Sequence, residues 1–222
     1  MTTSRPVRLS ASAAVLALAI ALLGAAPQAS AAPSSCFGRR PTKVGTNGPD
    51  NLTGTPGTDV IVGRGGNDTI SGLAGEDFLC GNRGNDRIQA AEGADHVSGG
   101  TAADSVRGGK GSDFLYGNAG NDSLEANEGA DLLSGGKGAN YLDGDAGPDR
   151  LVGGVNSDTL VGRDGNDVFE ARACEPLRRR SPCTNYLYGG NGADELHGGP
   201  DNDYFAPGMD DDEVDGRGGN DT

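Results

Sequence analysis

The sequence predicts an all-β solenoid built from stacked coils of 18 residues, and three observations support this fold class. Glycine supplies 40 of the 222 residues, tryptophan is absent, and aromatic residues make up 5%, so large apolar side chains are too few for a conventional globular core. From Gly45 onward the chain repeats with a period of nine. Nearly every repeat carries one large apolar residue at a fixed place, which gives these units a side chain to bury.

Three of the nine positions define the repeat. Twenty units start between Gly45 and Gly216, and the sixth position is Asp in 17 of them, while the fourth is Gly in 14. The eighth position is Leu, Ile, Val or Phe in 18 of the 19 units that are long enough to have one. Biased composition cannot hold these columns in phase over 178 residues. A disordered glycine-rich linker is excluded because such linkers do not place an aliphatic residue at regular intervals.

The residue types of one unit predict its shape. Glycine at positions one, two and four tolerates positive φ, so the first six residues can turn sharply with their carbonyl groups pointing inward. Positions seven to nine form a short extended segment, in which side chains alternate and only the eighth faces inward. Two units make one coil, and coils stack at about 4.8 Å, the spacing of hydrogen-bonded strands. Ten coils would form a ribbon of roughly 48 Å.

Stacking places the Asp of each unit over the Asp two units later, which gives one acidic row on each edge of the ribbon. Carboxylates about 5 Å apart repel by roughly 1 kcal/mol in water and about 3–4 kcal/mol at an effective dielectric constant of 20. The apolar column, at about 2 kcal/mol for each side chain, cannot outweigh both this repulsion and the chain entropy. A cation between the carboxylates is therefore expected, although the Asp residues could instead only form Asx-turns.

Calcium fits these rows best, because it accepts six to eight carboxylate and carbonyl oxygens in a flexible geometry. Magnesium demands a stricter octahedron, and the absence of His and thiolate clusters argues against zinc or copper. The candidate metal ligands are Asp50, Asp59, Asp68, Asp77, Asp86, Asp95, Asp104, Asp113, Asp122, Asp131, Asn140, Asp149, Asp158, Asp167, Asp194, Asp203, Asp212 and Asp221. Asn140 is expected to weaken the two sites to which it contributes.

Units such as GGKGSDFLY and GNAGNDSLE resemble the hemolysin-type (RTX) calcium-binding repeat, Gly-Gly-x-Gly-x-Asp-x-U-x, where U is a large apolar residue. The resemblance covers nearly the whole chain after residue 44. It implies a right-handed parallel β-roll, with turn carbonyls of positions one to four completing each calcium shell. Twelve pairs of Asp residues lie 18 residues apart, so about 8–12 calcium ions are expected, with affinities of roughly 10⁻⁴–10⁻³ M.

Residues 1–31 have the features of a cleavable export signal. Arg5 and Arg8 precede an almost wholly apolar run from 11 to 26, and Ala29-Ser30-Ala31 matches the small-x-small cleavage signature. Cleavage would leave 16 basic and 32 acidic residues, a net charge of −16. A secreted protein without a membrane span is therefore expected. Its acidity disfavours nucleic acid as a partner and favours cations.

Four cysteines would remain after cleavage, at positions 36, 80, 174 and 183. An even number in an exported chain favours disulfides, for which three connectivities exist. Proximity in the sequence favours Cys174–Cys183, which leaves Cys36–Cys80.

Residues 171–188 depart from the repeat, since Pro176 and Arg178 replace the usual Asp and aliphatic residue. The interpretation is an irregular basic loop without a cation site or core, which uncouples residues 189–222 so that they open first when calcium is lowered. Residues 32–44 are predicted as a lead-in or cap, 45–170 as the calcium-binding roll and 189–222 as its continuation. His96 and His197 occupy outward positions and are expected to be solvated.

The leading functional hypothesis is a secreted calcium-binding repeat protein with a structural or adhesive role. No nucleophile-elbow, zincin or paired-base motif is present, so the chain itself is not expected to be an enzyme. The alternative is the calcium-binding portion of an exported protease or lipase whose catalytic domain is not in this chain. An ice-binding ribbon would need outward rows of Thr, and the row begun by Thr46 and Thr55 is broken at Arg64.

Overall fold

The computed structural model describes residues 35–173 and 183–222, which form two parallel β-sheets without any helix. Odd-numbered strands form a ten-stranded sheet and even-numbered strands a nine-stranded sheet. The ten-stranded sheet contains β1 (Lys43–Val44), β3 (Val60–Gly65), β5 (Phe78–Arg83), β7 (His96–Thr101), β9 (Phe114–Ala119), β11 (Leu132–Lys137), β13 (Arg150–Val155), β15 (Val168–Glu170), β17 (Glu195–His197) and β19 (Glu213–Asp215). The nine-stranded sheet contains β2 (Asn51–Thr53), β4 (Thr69–Ala74), β6 (Arg87–Glu92), β8 (Ser105–Lys110), β10 (Ser123–Glu128), β12 (Tyr141–Ala146), β14 (Thr159–Asp164), β16 (Thr184–Asn191) and β18 (Asn202–Met209).

Successive strands alternate between the two sheets, and each pairs with the strand two places later in the chain. Leu79 pairs with Val97 and Leu124 with Leu142, so one coil contains 18 residues. This register confirms the predicted all-β parallel roll. Within the described part of the chain, no helix has the length and apolar character needed to cross a membrane.

The core is a column of eighth-position side chains between the two sheets. These side chains are buried from Leu52 in the first coil to Leu196 in a late one. Most strands are six residues long, from position seven of one unit to position three of the next, and are therefore longer than the predicted three. Because side chains alternate along a strand, position one faces the core as well as position eight, as Val106 and Gly108 in β8 illustrate.

The lead-in packs on the outer face of the ten-stranded sheet. The Cys36–Cys80 disulfide joins it to β5 and confirms this predicted pair, and the Arg39 guanidinium lies 3.7 Å from the centre of the Phe78 ring. His96 stacks between the rings of Phe78 and Phe114, at 4.7 Å from each. The prediction that His96 is a solvated surface residue is therefore wrong: it is half-buried in an aromatic stack, and this burial lowers its pKa.

The stretch 171–188 differs from the prediction. Leu160 pairs with Leu187 and Val168 with Glu195, so one coil has 27 residues instead of 18 and both sheets continue past the insertion. Leu187 is fully buried in the core column, and Asn185 stands at the sixth position. The expectation of a stretch without core is wrong for residues 184–188, because the register of both sheets accommodates nine extra residues in this coil, and lengthening a connection has a small entropic cost. The predicted Cys174–Cys183 bridge and the export signal involve residues outside the described ranges.

Candidate metal sites

The sixth-position side chains lie in two rows, at the turns where the chain passes from one sheet to the other. Most members of the first row directly precede a strand of the nine-stranded sheet, while Asn185 and Asp203 lie inside β16 and β18. The members of the second row directly precede strands of the ten-stranded sheet. The first row contains Asp50, Asp68, Asp86, Asp104, Asp122, Asn140, Asp158, Asn185, Asp203 and Asp221. The second row contains Asp59, Asp77, Asp95, Asp113, Asp131, Asp149, Asp167, Asp194 and Asp212.

From Asp68 onward, one oxygen of each carboxylate is held by the backbone of the preceding coil. The N–H of Asp68 donates to Oδ1 of Asp86 at 2.8 Å, and the N–H of Asp95 donates to Oδ1 of Asp113 at the same distance. The bond also spans the inserted residues, since the Asp167 N–H reaches Oδ1 of Asp194 at 2.8 Å. The backbone therefore fixes the stacking of each row without using the second carboxylate oxygen.

The second oxygen is the unusual feature of these sites. In 12 aspartates of the described residues, Oδ2 is buried and no hydrogen-bond donor reaches it. A buried carboxylate oxygen without a donor is strongly unfavourable, and native proteins rarely keep one. These aspartates are Asp68, Asp77, Asp86, Asp95, Asp104, Asp113, Asp122, Asp131, Asp149, Asp158, Asp167 and Asp194. A bound cation, or a proton, would remove this penalty.

Glycine at position one leaves space beside that oxygen. A side chain at Gly63 would collide with Oδ2 of Asp68 and would lie 2.8 Å from the carbonyl oxygen of Gly81 in the next coil. One point between two coils is thus faced by a carboxylate oxygen and a carbonyl oxygen, which are the donors that calcium prefers. Ala90 and Ala126 replace this glycine in two units.

The turns beside these oxygens have a strained backbone. Position two adopts positive φ at non-glycine residues such as Arg64 (79°), Leu73 (88°) and Asn118 (74°). This left-handed region is disfavoured for residues with a side chain. Because the conformation recurs in coil after coil at the same position, it belongs to the architecture of the site.

Burial also controls the protonation of the rows. Burial raises the pKa of Asp104 to about 7 and that of Asp149 to about 8; adjacent carboxylates of the same row contribute to the increase, and a backbone hydrogen bond opposes it. The pKa of Asp77 is raised to about 6, again mainly by burial. A carboxylate in these rows thus favours a proton or a metal ion over an uncompensated negative charge.

Two asparagines divide the first row. The Asn140 side-chain amide donates to Oδ1 of Asp158 at 3.0 Å, and that of Asn185 donates to Oδ1 of Asp203 at 2.8 Å. An NH₂ group facing the neighbouring coil repels a cation and supplies a hydrogen bond in its place. The second row has no such interruption between Asp77 and Asp194. The structure places Asn185 in the first row. The sequence analysis missed it because Pro176 and Arg178 made the whole stretch 171–188 look irregular.

The candidate ligands near the two ends of the roll differ from those in the middle in the hydrogen bonds to Oδ2 or in burial. Oδ2 of Asp50 accepts from the hydroxyl of Thr46, and Oδ2 of Asp59 accepts from the hydroxyl of Thr55, at 3.0 and 2.9 Å. Burial favours a higher pKa at Asp59, but the hydrogen bonds from Thr55 and Thr42 outweigh it and lower the pKa. At the other end, Asp212 is half-buried and Asp221 is exposed.

No group of three His, Cys, Asp or Glu side chains with metal-binding potential occurs in residues 35–173 and 183–222. A metal ion here would depend on one or two carboxylates together with backbone carbonyls, which excludes the usual zinc chemistry and suits calcium. Stacked parallel coils with two carboxylate rows and glycine-lined turns define the class: a calcium-binding β-solenoid.

The family follows from comparison with known families. The chain belongs to the RTX calcium-binding nonapeptide repeat family, whose four-copy model matches residues 44–79, 81–115, 107–142, 116–151, 143–173 and 188–222. Repeats of this family bind calcium. Searches of curated proteins and of solved structures gave no match.

Proposed function

We propose that this chain is a secreted calcium-binding repeat protein, in which calcium ions lie between stacked turns, drive folding and serve a structural or adhesive role. The observation that carries the proposal is the set of 12 buried Oδ2 atoms without a donor. Calcium would supply two positive charges beside each pair of stacked carboxylates, and the chain would supply the oxygens.

The residues proposed to hold calcium are the 12 aspartates with these oxygens, together with turn carbonyls such as that of Gly81. We propose about 8–12 ions per chain, with affinities of roughly 10⁻⁴–10⁻³ M, which is the range of extracellular calcium modules. The second row should hold a continuous series of ions, while Asn140 and Asn185 divide the series of the first row.

The proposed location and role rest on chemistry outside the rows. The N-terminal export signature, the Cys36–Cys80 disulfide and the acidic composition suit an oxidising, calcium-rich compartment. Within the described residues, Asp143 is the one buried charged side chain outside the two rows, and it is paired with Arg163. Nearly all buried charged side chains of the described residues therefore belong to the two rows along which the coils stack. This arrangement supports a structural or adhesive role.

The test is a calcium titration of the calcium-stripped chain, followed by far-ultraviolet circular dichroism and hydrodynamic radius. Without calcium the carboxylate rows repel and the glycine-rich turns have high entropy, so we expect an expanded, weakly ordered chain. With 5–10 mM calcium, a concentration that saturates sites of about 10⁻⁴–10⁻³ M, we expect β signal and compaction. Magnesium at equal concentration is the control and should substitute poorly. Identical spectra and radii with and without calcium would refute the proposal.

A further inference from the structure

We propose that the N-terminal end of the roll, residues 36–62 clamped to Cys80, is a calcium-independent cap that orders first and templates the calcium-driven stacking of the later coils. The inference rests on the proposed function for the later coils. The cap itself is argued from contacts that need no metal ion.

The turn conformation is the first observation. Position two of the mid-array units has positive φ, whereas Thr46 and Thr55 at position two of the first two units do not. Thr is β-branched and strongly disfavours the left-handed region. The sequence of these two turns therefore fixes a different conformation from that of the calcium-binding turns.

In this conformation the protein itself satisfies the carboxylate. The backbone N–H of Thr46 donates to Oδ2 of Asp50 at 2.6 Å, and that of Thr55 donates to Oδ2 of Asp59 at 2.5 Å. The two Thr hydroxyls donate to the same oxygens at 3.0 and 2.9 Å. Amide and hydroxyl donors thus occupy the oxygen that has no donor in 12 later units.

The other oxygen of Asp59 is also satisfied by the lead-in. The residue one coil earlier is Pro41, which has no N–H to offer. The hydroxyl of Thr42 donates to Oδ1 of Asp59 instead, at 3.0 Å. Asp59 is only 6% exposed, yet each of its carboxylate oxygens has a protein donor. Its burial therefore does not require a cation.

A covalent bond and an apolar cluster attach the cap to the second coil. The Cys36–Cys80 disulfide closes a loop with a sequence separation of 44, which reduces the entropy of the unfolded segment. Cys36, Val60, Val62, Phe78 and Cys80 form a buried cluster separate from the main core. The other coils bury apolar side chains mainly in the single column of eighth-position residues between the sheets. The second cluster therefore gives the N-terminal end extra stability that does not depend on calcium.

Asp203 near the other end provides an instructive contrast. The N–H of Gly199, at position two of its unit, donates to Oδ2 of Asp203 at 2.7 Å. Glycine can adopt either hand of φ, so this turn can change conformation and release the oxygen. Thr46 and Thr55 cannot do so without strain. The locked arrangement is therefore a property of the N-terminal turns.

A preformed coil changes how a repeat array folds. The first coil of a solenoid has no neighbour on which to stack, and it orders its residues for little gain. A cap that is already folded removes this step, since each later coil then adds to an existing edge. Calcium-driven folding should accordingly propagate from the N-terminal end.

The test is hydrogen exchange of the full chain after calcium removal, compared with exchange in saturating calcium. We expect peptides within 42–62 to exchange at least about tenfold more slowly than peptides within 105–170 in calcium-free solution. Replacing Thr46 and Thr55 together by Val keeps the β-branch but removes both hydroxyls, and each lost bond should reduce this protection about fivefold. The matched control is the double substitution Thr53→Val and Thr69→Val, at exposed strand positions.

Equal exchange rates in 42–62 and 105–170 of the calcium-free wild-type chain would overturn the cap, whatever the variants do. Equal protection in the cap variant and the control would overturn the role of the hydroxyls. Failure of calcium to protect 105–170 would instead refute the proposed function, so the two ideas fail separately. In saturating calcium we expect the cap variant to regain wild-type protection in 105–170.

Discussion

The 12 aspartates with a donor-free Oδ2 use their two oxygens for two different tasks. Oδ1 accepts the N–H of the preceding coil and sets the stacking, whereas Oδ2 faces the glycine-lined space. Asn140 and Asn185 show that an amide can perform the first task, since each accepts the same backbone bond. An Asp-to-Asn change should therefore separate metal binding from folding geometry.

Asp86→Asn should lower the number of bound calcium ions by about one or two, because a mid-row carboxylate contributes to the sites on both sides of it. The same substitution should raise the calcium concentration at which half of the chains are folded. Asp212→Asn should have a smaller effect, since this residue is half-buried in the last coils. Asp211→Asn, at an exposed position five, is the control. Equilibrium dialysis gives the ion count, and an unchanged count for Asp86→Asn would contradict the stacked-row arrangement.

The raised pKa values predict how the calcium-free chain responds to pH. Burial raises the pKa of Asp104 to about 7 and that of Asp149 to about 8, from an ordinary value of 3.8. The folded state then binds more protons than the unfolded state, so its stability is fully present below about pH 4 and is lost as pH rises through 6–8.

Calcium-stripped protein should accordingly show more β signal at pH 4.5 than at pH 8 by circular dichroism. In the presence of calcium, protons compete with the metal, so the calcium midpoint should increase as pH falls. A calcium-free β signal that grows with pH would show that the rows are not protonated in the folded state.

At the scale of strands and coils, the 27-residue coil shows that a parallel ladder tolerates inserted residues between strands. β14 pairs with β16 and β15 with β17, with the same core contacts as elsewhere. Deleting residues 174–182, together with Cys183→Ser, restores an 18-residue coil. We expect a calcium midpoint within about twofold of the wild type, because the nearest-neighbour interfaces are unchanged. Cys174→Ser with Cys183→Ser is the matched control, and loss of folding only in the deletion variant would show that the insertion is structural.

The sequence was sufficient to predict how the coils stack wherever the period of nine holds, although not the full length of the strands. It determined the coil length, both acidic rows from Asp50 onward and the buried column, because register repeats once the phase is known. It did not reveal that Asn185 and Leu187 join the stacked array, because Pro176 and Arg178 in the preceding unit made the whole stretch 171–188 look irregular. Nor did it reveal the turns in which Thr46 and Thr55 donate hydrogen bonds to the carboxylates of Asp50 and Asp59. The value of φ at position two depends on a local balance between backbone strain and these hydrogen bonds.

At the scale of the whole molecule, the continuous ladder changes the expected order of opening. Because β15 pairs with β17, residues 195–197 should remain with the array when calcium is lowered. β19 should open first, since all three of its residues are exposed and Val214 is 45% exposed where Leu196 is fully buried. Hydrogen exchange over a calcium titration would measure this order. Simultaneous loss of protection in β17 and β19 would instead indicate that 189–222 behaves as one uncoupled unit.

Each strand pairs only with the strands two places before and after it in the chain, and this regular pairing also has a mechanical consequence. A chain pulled from its two ends should detach one coil at a time, because each strand bonds only to its neighbours in the stack. Each 18-residue coil would release about 60 Å of contour length, and the 27-residue coil about 90 Å. The Cys36–Cys80 link would keep the residues it encloses from extending. Single-molecule stretching in calcium should therefore show a regular series of steps with one longer step, and its N-terminal portion should lengthen only after reduction.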